Sequence, residues 1–300
     1  DASPAAVRGS APGLGDPASI EAQRARLRAT LARLSRTGEL PTMPSVATSA
    51  LAIARNPEAE VEELCRAIQT DVGIAARVLR VANSAVYGRR TVCKSLRDAV
   101  TTVGMRTMQD VLSAAALRSV LNLREPVAQR LWDHSLAVAI AAEELAAITG
   151  AVRRGGAFIP GLFHDVGRIV FFLGDAAGYD AMIRQEADLG IAASVGAVES
   201  ERYGFDHNEA GAALASDWGL PPEFCDAVRW HHDPTRAPAG DRLARLIAAA
   251  DAVTYRIGLG ASDSPAETRA PQAAGLSIPD EERFTAQVAE RFAAERAQFD

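Results

Sequence analysis

Three hundred residues with 48% hydrophobic content supply ample material for a core and exclude disorder for most of the chain. A net charge of −6 and a pI near 5.5 argue against direct nucleic-acid binding, because phosphate affinity draws on clustered Lys and Arg. Cys65, Cys93 and Cys225 are widely separated and include no CxxC, which excludes a disulfide framework and a thiolate zinc site. No run is long and apolar enough to cross a bilayer, and no charged segment leads into an apolar signal core, so a cytoplasmic location is expected. Few aromatics and abundant alanine favour close-packed helices, and the expected fold is all-α.

In chain order, residues 1–19 are too poor in apolar side chains to order and read as a flexible tail. Leu27, Leu31 and Leu34 then form a stripe that predicts an amphipathic helix from Ile20 to Arg36, ended by Gly38. Pro44 opens a further helix that Asn56-Pro57 closes, and another runs from about Ala59 to Gln69. The next starts near Asp71 and ends at Asn83-Ser84, two residues read as caps and turns before Tyr87-Gly88. Ser95 and Asp98 form a capping box, and Gly104 bends the helix they open. A break near Asn122–Pro126 divides a helical N-terminal part, 20–124, from a second helical bundle, 125–258, which begins with a long helix over Val127–Ile148. Residues 259–300 read as a loop followed by an amphipathic helix with Phe284, Val288 and Phe292 on one side, placed to pack on the bundle.

All five histidines fall in the second bundle. His134 shares a helix face with Leu131, Val138, Ala141 and Leu145, so it points inward. Gly161-Leu-Phe-His-Asp-Val-Gly-Arg168 ends an apolar run on the adjacent pair His164-Asp165, and Gly167 suggests a tight turn. His207 lies on a helix face with Gly211 and Leu214. His231 aligns with Phe224, Ala227 and Val228, with His232 beside it, and Asp251 sits mid-stripe among Leu243, Ile247, Ala250 and Thr254. Taken singly, each such residue is a core side chain paired with a backbone group. As a set, inward carboxylates and imidazoles on separate helices cost several kcal/mol each unless paired or bound to a cation, and helix bundles build metal sites in this way.

The order His134, His164-Asp165, Asp251 resembles the HD metal-dependent phosphohydrolase superfamily, and His207, His231 and His232 resemble the added ligands of its HD-GYP branch, which degrades cyclic di-GMP. Closer still is the HDOD family of bacterial signalling proteins, through LPTMP at 40–44, DVGIAARVLRVANSAVYG at 71–88, SLRDAVTTVG at 95–104, and then WDHSLAVA, GLFHDVGR, YGFDHNEAGAALASDWGLP and AVRWHHDP. The resemblance spans about Leu40 to Ile257. It implies an all-α domain with an HD-like bundle, and signal output through a partner protein, a nucleotide or a cyclic dinucleotide. It also implies one or two ions of iron, zinc or manganese. His134, His164, Asp165 and Asp251 would hold one, and Asp165 would bridge to a second held by His207 with His231, His232 or both.

Three departures set this chain apart from catalytic HD-GYP proteins. Arg168 replaces a lysine, Asp-Pro-Thr-Arg follows His231-His232 in place of the Gly-Tyr-Pro loop, and Arg130 stands where a third-metal glutamate is expected. Arg168 is either a phosphate contact beside a catalytic Asp165 or a solvated residue, and Arg236 is read as solvated. Three functions stay open: a regulatory module with a metal centre, a metal-dependent phosphohydrolase, and a metal-free helical scaffold.

Overall fold

The structure, a computed structural model, describes residues 17–40, 43, 48–50, 52–53, 56, 58–84, 92–121, 125–153, 156–189, 195–238, 242–261, 276, 278 and 280–299. Among the described residues there are helices and no strand, as the composition predicts. The helices are α1 (Pro17–Thr37), α2 (Val61–Ile68), α3 (Val72–Ala82), α4 (Leu96–Val120), α5 (Pro126–Thr149), α6 (Phe158–Phe163), α7 (Arg168–Leu189), α8 (Val195–Tyr203), α9 (His207–Asp217), α10 (Pro222–Trp230), α11 (Arg242–Arg256) and α12 (Glu281–Phe299). Five expected features lie outside the described residues. They are the tail before Pro17, the helix start at Pro44, the stop at Pro57, the turn through Tyr87-Gly88 and most of the loop before α12.

Local chemistry accounts for many of the boundaries. Asp71 Oδ1 accepts from the Ile74 amide at 3.0 Å and starts α3. Ser95 Oγ accepts from the Asp98 amide at 3.0 Å while Asp98 Oδ2 accepts from the Ser95 amide at 3.2 Å, which completes the capping box of α4. Gly104, at φ 82° and ψ 159°, bends that helix where expected, a backbone region a Cβ disfavours. Helix α1 opens at Pro17, three residues inside the expected tail. The stretch between Arg168 and Tyr203, for which the spacing gives no element, folds as α7 and α8.

Helix α5 is the axis of the molecule. Leu131, Trp132, Leu136, Ala137, Val138, Ile140, Ala141 and Leu145 are all buried, so it is covered on every side, by α6, α11 and α12. Gly161 decides how close α6 comes: a Cβ there would sit 2.9 Å from Ala139 Cα and 3.0 Å from the Val138 carbonyl oxygen. This contact seats the chain leading into His164 directly on the helix that carries His134.

Helix α12 packs on α5 and α3 through buried Phe284, Val288, Phe292 and Phe299, each phenylalanine contributing roughly 1.5–3 kcal/mol of burial. Arg296 Nε donates to Asp133 Oδ1 at 2.7 Å and Arg291 Nη1 to Glu144 Oε1 at 2.6 Å, so polar pairs border the apolar seam. Helix α1 lies against α7, so the first helix of the 20–124 stretch packs on the 125–258 bundle.

Candidate metal centre

The five histidines and both aspartates picked out by the sequence gather beside α5, with Asp251 against His134 and His164. His134 reaches it from α5, His164 from the C-terminal end of α6, and Asp165 from the turn that follows. His207 is the first residue of α9, with Asp206 Oδ1 capping that helix through the Glu209 amide at 2.9 Å. His231 and His232 follow α10, and Asp251 comes from the middle of α11.

The expected turn after His164-Asp165 is present, and the reason for Gly167 is a helix crossing. A Cβ on Gly167 would overlap the His207 carbonyl oxygen and the Gly211 amide. Two glycines thus let the His-Asp turn lie flat on the start of α9, which brings Asp165 and His207 together.

The ligating atoms fall into two groups that share Asp165. His134, His164 and Asp165 form one, and Asp165, His207, His231 and His232 the other, with the atoms of each group within 4.8 Å of one another. His134 Nε2 lies 3.1 Å from Asp251 Oδ1 and 3.6 Å from Asp165 Oδ2. His207 Nε2 and His231 Nε2 lie 3.4 and 3.7 Å from Asp165 Oδ1. Two ligand atoms each about 2.1 Å from an ion at a tetrahedral angle are about 3.4 Å apart, so these separations suit a shared cation.

Four imidazoles are locked with one nitrogen outward and the other aimed into the cluster. His134 Nδ1 donates to the Leu259 carbonyl at 2.8 Å, His164 Nδ1 to Gly161 at 2.7 Å and His231 Nδ1 to Val228 at 2.7 Å. His207 Nδ1 donates to Glu199 Oε2 at 2.6 Å. In their neutral form, with the proton on Nδ1, these rings present bare Nε2 lone pairs inward, the tautomer that binds metals. His134 and His164 then bring two such nitrogens within 3.1 Å of each other, and His207 Nε2 lies 2.9 Å from His232 Nε2. Facing lone pairs repel unless a proton or a metal ion sits between them.

Buried atoms left without hydrogen bonds make the same point. Asp165 Oδ1 and Oδ2, His231 Nε2 and Asp251 Oδ1 have no hydrogen-bond partner among the described residues, although Asp165 is 1% exposed. A metal ion resolves such a set; isolated, each would cost about 1–3 kcal/mol. The residues present therefore fit a metal.

Electrostatics prepares most of the set. Burial drives His164 down to about 3 despite the nearby carboxylates, and burial with the neighbouring imidazoles holds His232 well below its ordinary value. Burial opposes ionisation of Asp165, but the Arg168 guanidinium and adjacent imidazoles outweigh it and hold the carboxyl well below the usual range. Asp251 is lowered, against its burial, by His134, which is itself raised against burial by Asp251. Burial also disfavours imidazolium at His207, yet the Glu199 charge lifts it to about 9.

Arg168 is not a solvated residue. It is 2% exposed, and its Nε lies 2.7 Å from Asp165 Oδ2 as an ion pair that does not align as a hydrogen bond. Arg236 is exposed and stacks over Trp230 at 4.9 Å, as expected. Arg130 reaches Asp180 on α7, 3.8 Å away, rather than the ligand cluster.

The residue that spacing misses is Glu199 on α8. Fully buried, it accepts from the His207 amide at 2.7 Å, the His207 ring, and the Tyr179 hydroxyl at 2.6 Å. Its signal in the sequence is slight: a carboxylate one turn after Val195 on the same buried face.

The HDOD domain family model matches residues 40–234, across both helical parts and through His231-His232. The chain belongs to the HDOD family. An HDOD domain protein of unknown function from Geobacter sulfurreducens is 27% identical, with a TM-score of 0.72, over 92% of this chain and 98% of that one. A proposed phosphohydrolase from Shewanella amazonensis SB2B is 25% identical, with a TM-score of 0.71, over 91% and 98%. An uncharacterised protein of Treponema pallidum (strain Nichols) is 28% identical over 224 residues, 73% of this chain and 42% of that protein. The HDOD chain spans less than half the length of the curated relatives it matches.

Proposed function

We propose that this HDOD chain is a bacterial regulatory module of the cytosol, acting through a signalling partner protein or a nucleotide, with a His/Asp metal centre built into its core. The carrying observation is the enclosure of the ligands: His134, His164, Asp165, His207 and His231 are at most 1% exposed and Asp251 is 5% exposed. His232 alone of the seven is half-buried, and Asp165 itself, at 1% exposed, offers a nucleotide phosphodiester no surface to contact. Arg168 sets a fixed positive charge against the Asp165 carboxylate, which offsets part of its negative charge and weakens its pull on a reacting phosphate's metal or water.

His134, His164, Asp165 and Asp251 would hold one ion, and Asp165, His207, His231 and His232 a second. Iron, zinc and manganese all suit this donor set. Such an ion ties α5, α6, α9, α10 and α11 together, so its free energy of binding becomes folding free energy.

A second reading, a metal-dependent phosphohydrolase, draws on the complete ligand set and on the proposed phosphohydrolase from Shewanella amazonensis as a relative. A bound metal would lower the pKa of a coordinated water to about 7. This chain's residues would orient it through Asp165, with Arg168 beside that carboxylate.

One experiment separates the two readings. Protein purified without a histidine tag is analysed for metal and assayed against nucleotides and cyclic dinucleotides. Near-stoichiometric metal without turnover supports the regulatory module. Metal-dependent turnover that disappears in Asp165→Ala refutes it in favour of the hydrolase. Metal-free, stably folded protein that takes up no iron, zinc or manganese refutes both.

A further inference from the structure

A second polar recess lies away from the metal centre and shares no residue with it. It is a cavity of about 520 Å³ where the end of α3, the middle of α4, α5 and α12 meet. That size falls within the range of small-ligand sites.

The inner end of the cavity offers acceptors without partners. Ser84 is 7% exposed, and neither its Oγ nor Asp110 Oδ1 has a hydrogen-bond partner among the described residues. Burial first, then the charges of Glu143 and Glu295, push the Asp110 carboxyl well above the usual carboxylate range. An arrangement of this kind is costly when empty and is relieved by a ligand that donates N–H groups. The walls are apolar, from buried Val81, Val111, Phe158 and Phe299. Exposed Arg153 lines the cavity from the segment after α5, exposed Arg106 lies one turn before Asp110 on α4, and Glu143, Arg291 and Glu295 complete the polar lining. Ser84, which sequence alone reads as a cap or turn residue, thus meets Arg153 in one recess.

We propose that this cavity binds a small planar ligand with two adjacent N–H donors on one edge and an anionic group at the far end, the chemistry of a guanine mononucleotide. The N1–H and exocyclic amine of guanine present two parallel donors suited to a carboxylate such as Asp110, whose Oδ1 has no partner among the described residues. The phosphate then reaches exposed Arg153. The two donors stabilise the ionised form of Asp110, and against that form adenine places an unprotonated ring nitrogen, so at about pH 8 the site rejects it through lone-pair repulsion and an unmet acceptor. Helices of both halves and α12 line the cavity, so occupancy bears on how they pack together.

The test is calorimetric titration of the full chain with GMP, AMP, guanosine and inorganic phosphate. Expected are GMP binding and AMP binding at least tenfold weaker. Asp110→Asn, which keeps shape and removes the carboxylate, should abolish GMP binding while the protein stays folded by thermal melting. Arg153→Ala, at an exposed position, should weaken GMP by about tenfold, the scale of one charge-assisted contact, and leave guanosine unchanged. Absence of GMP binding, equal binding of AMP, or undiminished GMP binding by Asp110→Asn would overturn the proposal. Should Asp110→Asn fail to fold, the Arg153→Ala comparison of GMP with guanosine decides it: an equal effect on both overturns the assignment.

Discussion

The two buried polar regions of this molecule use similar side chains at different spacings, and spacing sets what each can hold. At the His/Asp centre the ligating atoms of each group lie within 4.8 Å of one another, too close for anything larger than an ion. At the junction cavity, carboxylates, arginines and a serine are spread around about 520 Å³, room for an organic molecule. The imidazoles of the centre are oriented by backbone carbonyls and by Glu199, so their lone pairs face inward before any ligand arrives. The cavity has charged groups at the mouth and unpartnered acceptors inside, an arrangement that orients a ligand with two unlike ends.

The sharpest way to break this contrast is Asp165→Ala. It removes the one carboxylate common to both ligand groups and leaves Arg168 buried without its ion pair. Metal content should fall to near zero and stability should drop by about 3–5 kcal/mol, read by elemental analysis and denaturant unfolding. Unchanged metal content would remove Asp165 from the centre. Gly167→Ala should come next. The added methyl meets the His207 carbonyl, forces the His-Asp turn off α9 and costs about 1–3 kcal/mol with reduced metal occupancy. A variant with parental melting and metal content would show that the crossing has slack.

Glu199→Gln probes the support of the centre rather than its ligands. Loss of the negative charge that orients His207 should weaken metal binding by 10–100-fold, measured by chelator competition, while the fold persists. An unaltered affinity would make Glu199 a core residue alone.

The smallest effect belongs to Asp110→Asn in the ligand-free protein. Asp110 has a folded-state pKa above its ordinary value of 3.8, so its stabilising contribution is complete below about pH 3.8 and is lost as pH rises through the folded value. The asparagine variant should therefore melt a few degrees higher than the parent near pH 8, with the gap closing towards pH 4. A constant gap across that range would place the ionisation elsewhere.

The centre was more legible in the sequence than the cavity. His134, Asp251 and the His164-Asp165 pair stood on apolar stripes or at their ends, where an inward polar residue is conspicuous. The capping box at Ser95 and Asp98 and the bend at Gly104 were equally local. Glu199 escaped because a single carboxylate on a short helix looks like many solvated ones until Tyr179 and His207 are placed around it. Arg168 read as either solvated or phosphate-bound, and only the packing of α7 put its guanidinium against Asp165.

The sequence by itself determined the all-α fold, the identity of the seven candidate ligands and the family, because periodicity, caps and motif order are properties of short stretches. Tertiary structure alone decided the distances at which those ligands surround Asp165, that Gly161 and Gly167 are crossing points, and that Ser84, Asp110 and Arg153 border one cavity. The physical reason is separation along the chain: each of these relations joins segments far apart in sequence, and only the packing around α5 sets their distances.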